Sequence, residues 1–199
     1  MKRRDFLKVG ASAIGFPYLI PSSALGKAGT VAPSNRIVFG CIGYGWQGSG
    51  NTRGLLGQKG VQYVAGSDVD ANHLADFKKY IDESYGNTDC RTYVDYREML
   101  ANESLDAVNI ALPDHWHAIC AIDALKAGCD VHGEKPLTHN LVDGRAICDA
   151  VKRYGRIWQT GSWQRSRSDF HHASQLVRNG RIGKVHTIEV GLGGGVTDY

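Results

Sequence analysis

From Arg36 onward, short apolar runs alternate with stretches of helical apolar periodicity, the pattern of a parallel sheet covered by helices. Ile37 to Ile42 is a continuous apolar strand, and the glycine-rich stretch from Gly43 opens a helix lasting to about Gln58. Val61 to Ser67 reads as the second strand. Asp70 is placed to cap a helix from Ala71 to about Ser84, with Gly86 just past its end, and Asp95-Tyr96-Arg97-Glu98 forms a capping box for a shorter helix. A strand from Ala107 to Leu112 follows, then a helix capped by Asp114 that runs to Ala127 and closes on Gly128. Cys129 to His132, Asn140 to Tyr154 and Arg156 to Thr160 supply a strand, a helix and a last strand. The fold class is therefore α/β, a doubly wound parallel sheet over residues 36–161.

After Gly161 the character changes to a helix from about Asp169 to Asn179, a turn at Gly180 and an alternating strand from Lys184 to Gly191. These residues, 162–199, read as the truncated start of an α+β second domain. One helix and one strand cannot bury enough surface to offset their ordering entropy, so this part is expected to be mobile or loosely packed. The chain thus reads as the front part of a longer protein, binding a ligand by itself but turning nothing over.

Charge narrows the possible partners. The chain has 23 Lys and Arg against 20 Asp and Glu, but the excess sits in residues 1–26, which hold Lys2, Arg3, Arg4 and Lys8 against Asp5. The remainder is neutral, so no basic footprint for nucleic acid is present, and no interior apolar run approaches the roughly 18 residues of a membrane span. The N-terminal segment reads as an export signal: a charged start, a weakly apolar stretch from Val9 to Ile20, and small residues at Ala24-Leu25-Gly26. Arg3-Arg4 followed by Phe6-Leu7-Lys8 resembles the twin-arginine consensus, departing from it at Lys2. Residues 1–26 are expected to be a twin-arginine signal peptide and 27–35 a linker, placing the protein in the periplasm after passage through the twin-arginine machinery. The five cysteines, Cys41, Cys90, Cys120, Cys129 and Cys148, form no C-x-x-C pair and read as small buried hydrophobes.

The chemistry clusters at strand ends. Gly43-Tyr44-Gly45-Trp46-Gln47-Gly48 matches G-x-G-x-x-G between an apolar strand and a helix, the context that gives these glycines meaning. The first makes the turn, the second lets backbone approach a pyrophosphate, and the third lets helix pack on strand, so this is a Rossmann-type dinucleotide site. Asp68 stands at the end of the second strand, where a carboxylate accepts from ribose hydroxyls and repels a 2′-phosphate. Asp70 follows and no Arg or Lys is adjacent, which favours NAD over NADP. His115 and His117 lack a third ligand, so no metal site is expected.

Leu112-Pro113-Asp114-His115-Trp116-His117 and Gly133-Glu134-Lys135-Pro136, joined by a helix ending Ala-Leu-Lys-Ala-Gly, resemble the Gfo/Idh/MocA oxidoreductase family from residue 36 to about 195. The resemblance implies that Leu112, Asp114 and His117 line the cofactor, that Glu134 lies near the nicotinamide ribose, and that Trp163 and Arg165 close the cofactor cleft. It further implies that Lys135 reaches toward substrate and nicotinamide as the catalytic lysine; set between Glu134 and Pro136 at a strand end, this lysine is expected to have restricted freedom and Glu134 as a charge partner. The implied activity is hydride transfer between NAD and a sugar or cyclitol carbon bearing a hydroxyl, in a full-length protein that forms a homo-oligomer. Two alternatives remain open: an NAD-dependent glycosidase, which oxidises a sugar transiently to eliminate its aglycone, and a protein that binds nucleotide or sugar without turnover.

Overall fold

The computed structural model describes residues 31–192; the expected export signal lies outside the described residues. Six strands, β1 (Ile37–Ile42), β2 (Val61–Ser67), β3 (Arg91–Tyr93), β4 (Ala107–Ile110), β5 (Asp130–Gly133) and β6 (Trp158–Thr160), form one sheet in the order β3-β2-β1-β4-β5-β6. Every pairing is parallel. The connecting helices are α1 (Trp46–Leu56), α2 (Ala71–Tyr85), α3 (Tyr96–Asn102), α4 (Asp114–Lys126) and α5 (Leu141–Tyr154). This is the Rossmann-type α/β fold that the alternating pattern calls for. Because the chain winds outward from β1 in one direction and from β4 in the other, a crevice opens at the carboxyl ends of these two strands, where such sheets bind ligands.

Burial explains the continuous apolar strands. Phe39 and Cys41 of β1 pack with Tyr63, Phe77 and Ile81 in one cluster, while Ile42 joins Val108, Ile110, Ala121 and Leu125 in another. Successive side chains of a strand point to opposite faces, so a sheet covered on both needs apolar residues at every position. Four of the five cysteines are buried among these clusters. Burial pushes the Cys41 and Cys90 thiols up to about 12 and those of Cys120 and Cys129 to about 11. Cys148 departs from the expectation, being exposed on α5.

Several boundaries differ from the sequence reading for identifiable reasons. Helix α1 begins at Trp46 rather than Gly43, because Gly43 has a φ of +86° that no right-handed helix accommodates. Strand β3 is three residues long, too short to show a period. Asp70 caps α2 as expected, accepting from the Asn72 and His73 amides. These hydrogen bonds hold its carboxyl below the usual carboxylate range. Asp95 caps α3 through the Arg97 amide. Asp114 is not a cap: Pro113, extended at φ −57° and ψ 144°, takes that position and Asp114 is the first helical residue.

The chain divides between Thr160 and Gly161 into two units. The described part of the second holds a 3-10 turn, Trp163–Ser166, and helix α6 (Ser168–Arg178). The strand expected at Lys184 to Gly191 is not formed. A strand requires a neighbour to complete its ladder, and among the described residues none pairs with this segment. Its Val185, Ile188 and Val190 are exposed.

Candidate functional site

The glycine loop follows directly from β1. A Cβ on Gly43 would lie 2.3 Å from the Ala111 carbonyl oxygen, and one on Gly48 would lie 2.0 Å from the Gly43 carbonyl oxygen. Both obstacles are backbone, so neither position accepts a side chain without moving the loop or α1. Gly45 differs: the nearest atom to its would-be Cβ is His73 Cε1 at 3.9 Å, so the space above it is open. It precedes α1 without a side-chain cap, leaving room for an anion to approach the helix N-terminus. That cradle fits a dinucleotide pyrophosphate.

Tyr44 turns its ring inward, edge-on to Phe77 of α2 at a centroid distance of 5.0 Å, which ties the loop to the core. Its amide donates to Asp68 Oδ2 at 2.7 Å, while Asp68 Oδ1 accepts from the Asp70 amide at 2.9 Å. The carboxylate at the end of β2 is thus fixed by two backbone donors. His73 Nδ1 stands 3.3 Å from the same Oδ2. Beside Asp68 runs a groove of about 580 Å³, lined mainly by apolar groups including Val69, Val94, Leu112, Pro113 and Trp116, and also by Arg97.

The other end of the crevice is held by side chains. Glu134, 6% exposed past β5, accepts at Oε1 from Gln47 Nε2 at 2.9 Å and Asn51 Nδ2 at 2.8 Å, both on α1. Its Oε2 accepts from the Lys135 amide at 3.2 Å. Buried Asn109 of β4 continues the network, its Oδ1 accepting from Asn51 at 3.4 Å and lying 3.0 Å from His132 Nδ1. Burial holds the His132 imidazole below its ordinary value, and the Glu134 carboxylate opposes that shift.

The residues expected at the site are held as follows. Glu134 is not the charge partner of Lys135: among the described residues no ion pair joins them, and its Oε1 is taken by the α1 amides. Lys135 is exposed, and its bond to Pro136 is cis. Gln47, expected at the cofactor, spends its amide on Glu134 and Asn51. His117 does not line the groove; it is 1% exposed, with Nδ1 2.6 Å from the Pro136 carbonyl oxygen and Nε2 2.8 Å from that of Leu112. It ties together the loops after β4 and β5. The signal was present in the sequence, since His117 shares a helical face with Ala121, Ala124 and Leu125, all buried. Asp114 is exposed and not among the groove-lining residues. Trp163, half exposed, and Arg165 lie on the 3-10 turn of the second unit. Val94, Arg97 and the Asn51–Asn109–His132 network went unread, because topology rather than sequence spacing brings them to the site.

Comparison with known proteins places this geometry. The chain is 28% identical over 152 residues to myo-inositol 2-dehydrogenase of Thermotoga maritima, covering 76% of this chain and 44% of that protein. It is 28% identical over 205 aligned positions to alpha-N-acetylgalactosaminidase of Tannerella forsythia, covering 92% of this chain and 43% of that one. The crystal structure of myo-inositol 2-dehydrogenase from Lactobacillus plantarum superposes with a TM-score of 0.65 at 30% identity, over 75% of this chain and 43% of the other. The chain therefore spans about two fifths of the length of these relatives. Residues 37–162 match the family model described as the oxidoreductase family, NAD-binding Rossmann fold, and the chain accordingly belongs to the Gfo/Idh/MocA oxidoreductases, with NAD as the cofactor of its Rossmann domain.

Proposed function

We propose that the full-length protein transfers a hydride between NAD and a hydroxyl-bearing carbon of a sugar or cyclitol. The observation that carries the reading is Asp68: a carboxylate held by the Tyr44 and Asp70 amides at the end of β2, beside the apolar groove and the open space over Gly45. Its remaining lone pairs suit the ribose hydroxyls and oppose a third phosphate. When bound, NAD supplies the hydride acceptor or donor at the nicotinamide ring. Lys135 contributes an ammonium at the exposed end of β5, which stabilises the negative charge that grows on the substrate oxygen as its proton leaves. In this reading the full-length protein also self-associates.

Titration of the full-length protein with NAD, followed by turnover with inositols and hexoses, tests it. Asp68→Ala weakens NAD binding, and Lys135→Ala keeps NAD bound while kcat falls on the order of 10²-fold or more. A Lys135→Ala protein with ordinary kcat removes the lysine from the mechanism. NADP bound by the native protein as tightly as NAD removes Asp68 from selectivity.

A second reading is supported by the glycosidase relative, whose alignment covers 92% of this chain. In it, transient oxidation of a glycoside leads to loss of the aglycone with no net consumption of NAD. Release of p-nitrophenol from nitrophenyl glycosides without accumulation of NADH selects this reading, and steady NADH production selects the first. The protein is exported by the twin-arginine route in either case; changing Arg3 and Arg4 to lysine retains it in the cytoplasm, and undiminished export contradicts that assignment.

A further inference from the structure

We infer that His73 sets how strictly this site distinguishes NAD from NADP, acting against Asp68. The inference rests on the NAD reading above and concerns the 2′ position of the adenosine ribose. A carboxylate offers about four lone-pair sites, two on each oxygen. Asp68 Oδ1 accepts from the Asp70 amide at 2.9 Å and Oδ2 from the Tyr44 amide at 2.7 Å, while the His73 Nδ1 atom stands 3.3 Å from Oδ2. A ribose diol that uses both oxygens finds Oδ1 open and the approach to Oδ2 shared with the His73 imidazole. The two amides belong to backbone and cannot leave. The imidazole, on the first turn of α2 with 44% of its side chain exposed, can. His73 is therefore the group that yields when the diol binds, and NAD binding includes the loss of that contact.

Where the imidazole can go gives it a second effect. His73 and Gly45 line both the apolar groove beside Asp68 and a second, polar groove of about 470 Å³ between α1 and α2. That polar groove carries Arg53 and Lys79 together with Asp76 and Glu83, so its charges balance rather than repel an anion. The Asp70 carboxylate accepts from the His73 backbone amide at 3.3 Å. An imidazole displaced from Asp68 would remain among the residues lining the two grooves, where its N–H could serve a group at the 2′ position. It adds little to a hydroxyl, which Asp68 already accepts from, but it supplies a hydrogen bond to a 2′-phosphate that Asp68 alone would exclude. The chain thus prefers NAD, but by a smaller margin than its acidic residue at the end of β2 would give unaided.

Calorimetric titration of the full chain with NAD and with NADP, for the native protein, His73→Ala and His73→Lys, tests this. His73→Ala should weaken NADP about five- to tenfold while NAD changes less than about twofold or tightens, widening the preference. His73→Lys should shift it the other way, strengthening NADP. Both variants leave the Asp70 cap and the Asp68 amide contacts in place, and far-ultraviolet circular dichroism checks that each folds. If native protein binds NAD but its NADP-to-NAD ratio stays within about twofold in both variants, His73 has no part in selectivity. If the native protein binds neither nucleotide, the NAD reading itself fails and takes this inference with it.

Discussion

At the glycine-loop end of the crevice the geometry is set by backbone, whereas at the Glu134 end it is set by side chains. Gly43 and Gly48 are confined by carbonyl oxygens, and Asp68 is oriented by two amides. Across β1 and β4, Glu134 is oriented by the amides of Gln47 and Asn51 and linked through Asn109 to His132. The difference determines how each end fails. A backbone obstacle cannot rotate away, so a substitution there displaces the loop. A side-chain network can lose one member and keep its frame, at the cost of the hydrogen bonds left unmade.

The largest effect should come from Gly48→Ala. The added methyl stands 2.0 Å from the Gly43 oxygen, so α1 and the loop must separate. The expected loss is at the upper end of the roughly 1–3 kcal/mol typical of overpacking, together with loss of NAD binding. Thermal unfolding and NAD titration check it, and a variant that binds NAD normally would break the claim that this end is set by backbone. Glu134→Gln is the matching change at the other end. It puts an amide donor where a carboxylate oxygen now meets other donors, and should cost about 1–3 kcal/mol of stability while NAD binding persists. Loss of NAD binding in a folded Glu134→Gln chain would erase the contrast between the two ends.

A smaller effect concerns pH. Burial lowers the His132 pKa in the folded chain, so the unfolded chain binds more protons around the ordinary value of 6.5. The neutral ring's contribution to stability is therefore present above about pH 6.5 and is lost as pH falls below it. Denaturant midpoints measured from pH 7.5 to 5 should decline in the native chain and decline less in His132→Gln, which keeps a donor toward Asn109. Equal slopes would remove His132 from the network's energetics. The smallest effect is a chemical one: a thiol reagent should label Cys148 in the native chain and leave the four buried cysteines unmodified until denaturant is added.

How far the sequence could be read follows the same division. The loop, α1, β2 and Asp68 lie within one contiguous βαβ stretch, and their constraints are local: a turn that needs positive φ, a close approach, an acid at a strand end. Those were legible. The Glu134 network joins residues as far apart as 47 and 134, so no periodicity carries it. The groove is completed by Val94 and Arg97, brought there because β3 pairs with β2. Motif position put His117 at the cofactor, whereas the helical face it shares with Ala121 and Leu125 was the better guide to its burial. The strand at Lys184 to Gly191 had the right alternation, but alternation specifies only which face would be buried, and a ladder requires a partner.

The buried thiols bear on where such a chain can work. Disulfide formation proceeds through the thiolate, and with pKa values near 11 and 12 the fraction ionised at neutral pH is about one in ten thousand or less. Cys41, Cys90, Cys120 and Cys129 are accordingly indifferent to whether the surroundings are reducing or oxidising, so the folded domain can pass from one to the other without change to its core. Cys148 is exposed on α5. Of the five, it is the thiol that an oxidant or a second thiol can reach without unfolding the domain.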